Sequence, residues 1–467
     1  MGLSVGLDTA ISALRAHQLG VDVASHNIAN AQTPGFSRQR LVLRDINYNT
    51  GDSSRSALLG RAGNGVAASD INRFRDTFLD YQARQAFAGQ GQQRALTAAL
   101  GQAELVFNDP SDLGLSQLFG RFWASWHDVV NDPESPAART SLVHSTTTLT
   151  TRIQQSADDL ANQRTNLNQR VSSIAASLNG AASEIATLNL QIVRVEVNGD
   201  AANDLRDRRD FLVDQLSTLA EVTYTEQPNG SLDIELGGHA FVTGTVVDAV
   251  AAVADLANPG MNKLTFPSDS ANVTTTTGEL RGVLDARDVA LPALLAKLDT
   301  LAAAFIASVN AVHITGFGLD NSTNLPFFTG TGAADIALNP VLAAAPEKFA
   351  AASALGAAGD GSNALAIADL QLAGTMAAGA QTFDEFYGSI VSVLGADAAR
   401  ALGAADSSDL MASHLEGLRQ STSGVNIDEE VTNLAASQHA YNAAARVVTV
   451  IDEMLDQLIS RTGIVGR

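Results

Sequence analysis

The sequence predicts a mainly α protein with a smaller β part, elongated and multi-domain, and three observations carry that reading. Apolar residues recur every seven positions at both ends of the chain. A long proline-free stretch in the middle keeps the same period. Period-two alternation is confined to one short region between helical segments. The 467 residues, 45% hydrophobic, suffice for roughly three domains with buried cores.

At the N-terminus Leu7, Leu14, Val21 and Ile28 fall seven apart, and Leu3, Ala10, His17, Ala24 and Ala31 interleave. This is the pattern of a coiled-coil seam. The helix is predicted to end near residue 30: Asn30 can cap it, Thr33 is pushed to extended backbone by the following proline, and Pro34-Gly35 suits the centre of a type II turn. A second helix is expected over Ile71 to Leu100. Next, Ile153, Leu160, Leu167, Ile174, Ala181, Leu188 and Val195 share one register, with Ala157, Val171, Leu178, Ile185 and Ile192 on the adjoining one. No proline interrupts residues 137 to 227, so this segment predicts a helix of about 40 residues or more. A shorter helix follows near Asp204 to Ala220.

Strand signals cluster in "EVTYTEQPNGSLDIELGGHAFVTG", where Val222, Tyr224, Leu232, Ile234 and Leu236 alternate around the turn Pro228-Asn229-Gly230. Residues 242 to 280, rich in Val and Thr, extend this hairpin into a small β unit. Leu291 to His313 reads as a helix, and Gly316 to Gly361 as an irregular insertion or linker. The C-terminal end mirrors the start: Ile427, Leu434, Tyr441, Val448, Leu455 and Thr462 are spaced by seven, flanked by Val431, Ala445, Ile451, Leu458 and Ile459. Asp428, Glu429 and Glu430 lie in its first turn, where negative charge suits the helix dipole. The expected division is an inner coiled-coil domain of residues 1–45 with 425–467, and a helical bundle of 46–220 with 281–315 and 362–424. A β-rich unit of 221–280 and an insertion of 316–361 complete it.

A net charge of −21 repels nucleic acid and anionic lipid, so neither is an expected partner. The absence of cysteine excludes disulfides, thiolate nucleophiles and Cys-based metal sites. The start MGLSVGLD lacks the features of a cleaved signal peptide, and the most apolar runs are interrupted by Asp248, Asp255, Lys297 and Asp299, which argues against membrane insertion. The eight histidines are scattered without metal-ligand spacing; His17 and His26 read as interface or surface side chains. "GRAGNGV" at 60–66 lacks the context of a phosphate loop and reads as a turn. Carboxylate pairs such as Asp158-Asp159 and Glu429-Glu430 read as solvated faces, no nucleophile elbow is present, and Trp123 and Trp126 read as core anchors. No enzyme, cofactor or metal site is expected. The positive signal is architectural: two terminal seams, separated by some 400 residues of chain, that bury too little on their own and point to neighbouring copies in a head-to-tail ring or helix.

"NIANAQTPGFSRQR" resembles the Asn-Ile-Ala-Asn-x-x-Thr-Pro-Gly-Tyr-Ser-Arg-Gln signature of bacterial flagellar axial proteins, with Phe36 in the usual tyrosine place. Ser37-Arg38-Gln39 narrows the resemblance to the hook-associated protein 1 family. "GVNIDEEVTNLAASQHAYNAAARVVTVIDEMLDQLI", "NDLRDRRDFLVDQLS" and "GELRGVLDARDVALPALLAKLDTLAAAFIASVNAVHITGF" are similar to that family's C-terminal helix and central body. The resemblance implies a structural subunit of the hook–filament junction ring. Self-assembly would run through Leu7, Leu14, Val21, Ile28, Ile427, Leu434, Tyr441, Val448 and Leu455. It implies export unfolded through the flagellar type III channel to an extracellular site, with a cytoplasmic chaperone on the C-terminal region. Hook protein and hook-associated protein 3 would be its neighbours. Asn27, Asn30 and Thr33 would tie down the turn at Pro34 and Gly35, Phe36 would anchor it by packing, and the extended Phe36 to Leu43 stretch would carry the chain to an outer shell. The alternatives are another axial subunit, of distal rod or hook, and a surface adhesin using 316–361.

Overall fold

The structure is a computed structural model that describes residues 2–46 and 65–461; the Thr462 seam position and most of the Gly60–Val66 turn lie outside the described residues. Helix α4, Pro136–Glu196, is the spine. Its 61 residues span about 90 Å at 1.5 Å per residue. Ser135 caps it by accepting the Ala138 N–H, and Pro136 occupies the first turn, where its missing donor costs nothing.

The first half of α4 builds the larger core. Around it pack α2 (Thr77–Phe107), α3 (Leu115–Asn131), α7 (Leu291–His313) and α10 (Phe383–Ser423). Phe119, Phe122, Trp123, Trp126 and Phe305 fill its centre as edge-to-face rings, so both tryptophans are core anchors. α7 continues without a break from α6 (Gly278–Asp285) through one π turn, Ala286–Ala290. This apolar helix is long enough to cross a membrane, but Leu291, Leu294, Leu298, Leu301, Phe305 and Val309 are all spent on the protein core.

The second half of α4 packs with α5 (Asn203–Leu219) over the β-rich unit. That unit is a four-stranded antiparallel meander, β3 (Val222–Glu226), β4 (Leu232–Leu236), β5 (His239–Thr243) and β6 (Val246–Val247), followed by the pair β7 (Ala251–Ala254) and β8 (Asn262–Thr265). Ile234, Leu236, Phe241, Val242 and Phe266 point inward. The sequence marks α10 only as part of the bundle, because its face toward α2 is alanine-rich: Ala398, Ala401, Ala405 and Ala412 are buried. Its start is a capping box of Thr382 and Glu385.

Three expectations are corrected. Residues 316–361 are irregular, with a two-residue strand pair and a short helix, but they are no linker: Phe327, Phe328, Ile336, Leu342 and Phe349 are buried in the larger core. Buried His313 pins them from α7; its Nδ1 bonds the Leu325 carbonyl and its Nε2 accepts the Ala350 N–H. Second, Ile71 belongs to no helix. Val66–Arg73 is strand β2, paired antiparallel with β1, Gln39–Asp45, across the expected boundary at residue 45. Third, the stretch after Phe36 does not leave for an outer shell. It doubles back as β1 along α1 (Gly2–Asn30), with Leu41 beside Gly20 and the Val66 N–H donating to Ser12 Oγ. The cause is local: Gly35 reverses the chain, and the buried amide of Asn27 captures both backbone groups of Gln39.

Candidate self-assembly surface and signature turn

The terminal helices α1 and α11 (Ile427–Arg461) pair antiparallel within one chain. Their closest row is not the one the apolar residues suggest. A β-carbon on Gly6 would stand 3.3 Å from the Ile451 side chain, and one on Gly20 2.9 Å from the Ser437 hydroxyl. At the far end Asn27 Nδ2 donates to Glu430 Oε2 over 3.0 Å. The residue numbers of each of these pairs sum to 457, so the same register sets Ala13 opposite Ala444. The inner seam is therefore Gly6, Ala13, Gly20 and Asn27 on Ile451, Ala444, Ser437 and Glu430, one residue away from the predicted row on α1. Small residues win this place because they let the backbones approach closely and leave larger side chains to the flanks.

Those flanks hold the predicted assembly residues. Leu7, Leu14, Val21 and Ile28 are half-buried, as are Leu434, Val448 and Leu455, whereas Ile427 and Tyr441 are exposed. Along α11 Ile427, Val431, Tyr441, Val447, Val450, Met454, Leu458 and Ile459 are 38% to 78% exposed. Apart from Leu458, which continues the inner row, they lie on its two flanks.

The signature turn is held from several sides. Phe36 N–H donates to the Thr33 carbonyl (3.1 Å) and Gly35 has φ +81°, the left-handed third position of a type II turn. The Thr33 N–H reaches the Asn30 carbonyl, the Thr33 hydroxyl the Asn30 side chain, and the Asn30 amide turns back to the His26 carbonyl. Phe36 is half-buried, its ring 5.4 Å from that of His26 in an edge-to-face contact. Glu430 corrects the reading of Glu429-Glu430 as a solvated pair: it is 3% exposed and takes the Asn27 amide on one oxygen and Arg38 Nε (2.8 Å) on the other. Glu429 binds the far side of the same guanidinium.

Behind the turn stands a charge ladder that the sequence reading missed. Asp204, Asp207, Asp210 and Asp214 share one face of α5. Asp204 takes the Gln39 side-chain amide, and Asp207 the Ser37 N–H and Arg73. Asp210 meets Arg73 and Arg75, and Asp214 meets Arg84 and Arg419. Burial alone would raise the Asp210 carboxyl, but Arg75, Arg73 and Arg84 outweigh it and hold it well below the ordinary carboxylate range. At Asp207 burial wins, and the carboxyl sits above its usual range despite Arg73 and the Ser37 N–H. The acidic period in "NDLRDRRDFLVDQLS" and the pair Arg73-x-Arg75 were the signals available in the sequence.

Profiles of three families match in chain order: "Flagella basal body rod protein" over residues 7–36, "Flagellar hook-associated protein FlgK helical domain" over 100–328, and "Flagellar basal body rod FlgEFG protein C-terminal" over 419–461. Flagellar hook-associated protein 1 of Bacillus subtilis is 30% identical over 99% of both chains. The chain belongs to the flagellar hook-associated protein 1 family. The Escherichia coli protein of that name is 27% identical over 97% of this chain and 99% of its own. The solved flagellar hook junction protein FlgK of Burkholderia pseudomallei shares the fold, with a TM-score of 0.65 at 15% identity, covering 73% of this chain and all of that one. Membership makes this chain a structural component of the flagellar hook–filament junction, one that assembles with other axial components. The profile matches at 7–36 and 419–461 coincide with the paired helices and the turn described above.

Proposed function

We propose that this chain joins copies of itself into a ring or short helix between hook and filament, using the outer faces of α1 and α11 as the intersubunit seam. The observation that carries this is the set of exposed apolar residues on the flanks of α11, Ile427, Val431, Tyr441, Val447, Val450, Met454 and Ile459, beside the half-buried Leu7, Leu14, Val21 and Ile28. Exposed apolar area of that extent is a liability unless a neighbour covers it. On this reading Leu434, Tyr441, Val448 and Leu455 straddle the inner and outer faces of the pair, and the turn at Asn27 to Phe36 sets where α1 ends against the bundle. The subunit is exported through the flagellar type III system, held by a cytoplasmic chaperone at its C-terminal region, and lies outside the cell between hook protein and hook-associated protein 3. On this reading it needs no cofactor and carries out no catalysis.

Complementation of a junction-deficient strain tests the seam. Leu14→Asp and Met454→Asp are expected to abolish motility while Trp123 and Trp126 fluorescence stays unchanged; motile cells with normal filaments would refute the assignment. The signature turn alone also fits a distal rod or hook subunit, but the similarity to hook-associated protein 1 runs the length of the chain, whereas that to the basal-body rod protein FlgG of Caulobacter vibrioides is 37% identical over only 18% of this chain and 37% of that one. Immunogold labelling of purified hook–basal bodies separates the two by position.

A further inference from the structure

We infer that a polar layer between the two cores locks the long helices of the bundle in one axial register, so that they do not slide past one another. On α4 the larger core ends at Leu160 and the smaller begins at Val171, and between them Leu167 packs, half-buried, against both. The continuous helix of α6, the π turn and α7 crosses the same layer. Its Leu280, Val283, Leu291, Leu294, Leu298, Leu301 and Phe305 form one buried row, and Arg287 fills the step between Val283 and Leu291, four residues from each. This arginine is 1% exposed. Its Nε and Nη2 each donate to the Asp288 carboxylate over 2.8 Å, and its Nη1 donates to Asn168 Oδ1 (2.8 Å) and to the Asn262 carbonyl (2.6 Å). Asn168 also takes the Asn262 N–H over 2.7 Å, so α4, the π turn and the start of β8 meet on one side-chain amide. Arg164 Nε donates to the Arg287 carbonyl (2.9 Å), and Asn258 links Arg164 to Asp288. On the α2 side the buried Gln163 donates to the Ala99 carbonyl over 2.6 Å.

Apolar packing is non-directional, and α4 repeats its apolar residues every seven positions from Ile153 to Val195, so a slip of one heptad would set like against like. The polar layer removes that degeneracy. Its bonds are directional and several are charge-assisted, so they close in one alignment of the helices and in no neighbouring one. A slip of one turn, about 5.4 Å, would carry the Arg287–Asp288 pair away from Asn168 and Asn262 and into an apolar core with its remaining donors unsatisfied. A single polar residue in an apolar row fixes the register of coiled coils by the same means, at a cost in stability. The residues involved belong to the bundle and its β unit and none to α1 or α11, so the inference depends neither on the terminal pair nor on the assembly reading.

The chain has no cysteine, so pairs of spin labels can be placed without background. Ser177→Cys on α4 with Thr300→Cys on α7 reports the register of the two helices; Thr151→Cys with Ser177→Cys lies along α4 alone, and all three sites are exposed. Double electron–electron resonance on the full chain is expected to give one narrow distance for each pair. In Arg287→Leu with Asn168→Leu the α4–α7 distance is expected to split, with a second population displaced by about 5 or about 10 Å, one turn or one heptad. The pair along α4 and the helicity by circular dichroism are expected to stay as they are. More than one α4–α7 distance in the parent chain overturns the inference, and so does a single, unshifted distance in the double-leucine variant. If that variant loses its helicity, Arg287→Lys decides, since it keeps the charge without the planar fork. A second, smaller population there is the expected result, and a single unshifted distance overturns the inference.

Discussion

Glu430 carries more at the residue scale than its neighbours in a run of three acids. Asp428 and Glu429 meet solvent, whereas Glu430 closes the end of the α1–α11 seam and neutralises Arg38 next to the signature turn. Removing one partner of a buried pair costs about 3 kcal/mol or more, because the other is left desolvated and unpaired. Glu430→Ala is expected to lower hydrogen-exchange protection across Val21 to Asn30 and Val431 to Tyr441 with little change in α4. Gly35→Ala is expected to destabilise the turn, since alanine at φ +81° is strained and its β-carbon would stand 2.8 Å from Phe211 Cβ. Urea titration of the variant measures that loss.

His313 adds a pH dependence whose sign follows from its surroundings. Burial, with Arg139 nearby, lowers its pKa to about 4, against the backbone bond to Leu325 that opposes the shift. The unfolded chain takes up this proton as pH falls below about 6.5, and the folded one does so only near 4. Stability is therefore full above that first value and is lost through the interval, by about 3 kcal/mol in all. The pH profile of thermal unfolding should show this loss, and His313→Gln, less stable at neutral pH, should have a flatter slope between pH 6.5 and 4.

At the scale of elements, packing distance separates the two faces of α1. Gly20 faces Ser437 and Leu41 with no room for a side chain, so Gly20→Leu should force α1 and α11 apart and lower helicity by circular dichroism. Leu14→Asp touches the half-buried flank instead, and its expected defect is in assembly. Small-residue seams are poorly legible because alanine and glycine carry no apolar period. The heptads of leucine and valine in the sequence mark α1 and α11 correctly as helices but point to their flanks. The same limit hid α10, while the 61-residue α4 was plain from its unbroken register.

Across the whole molecule two cores share α4, and the terminal pair attaches through polar contacts rather than through either core. Opening should follow that order. Amides of α1 and α11 are expected to exchange faster than those of α4 between Leu142 and Leu160 in the free subunit, and to slow on assembly. Equal protection of both before assembly would show that the terminal pair needs no neighbour.

The helical class, the terminal pairing, the turn at Pro34-Gly35 and the flagellar axial family were all legible in the sequence, because each rests on local period, turn chemistry or an uninterrupted motif. Tertiary structure alone decided the rest: that the hairpin doubles back along α1, that residues 316–361 complete a core, and that Asp207, Asp210 and Asp214 face arginines from three other elements. The reason is physical. Local backbone preferences act over a few residues, whereas burial of a charge or an aromatic ring depends on partners as far as 403 residues away, which no local period records.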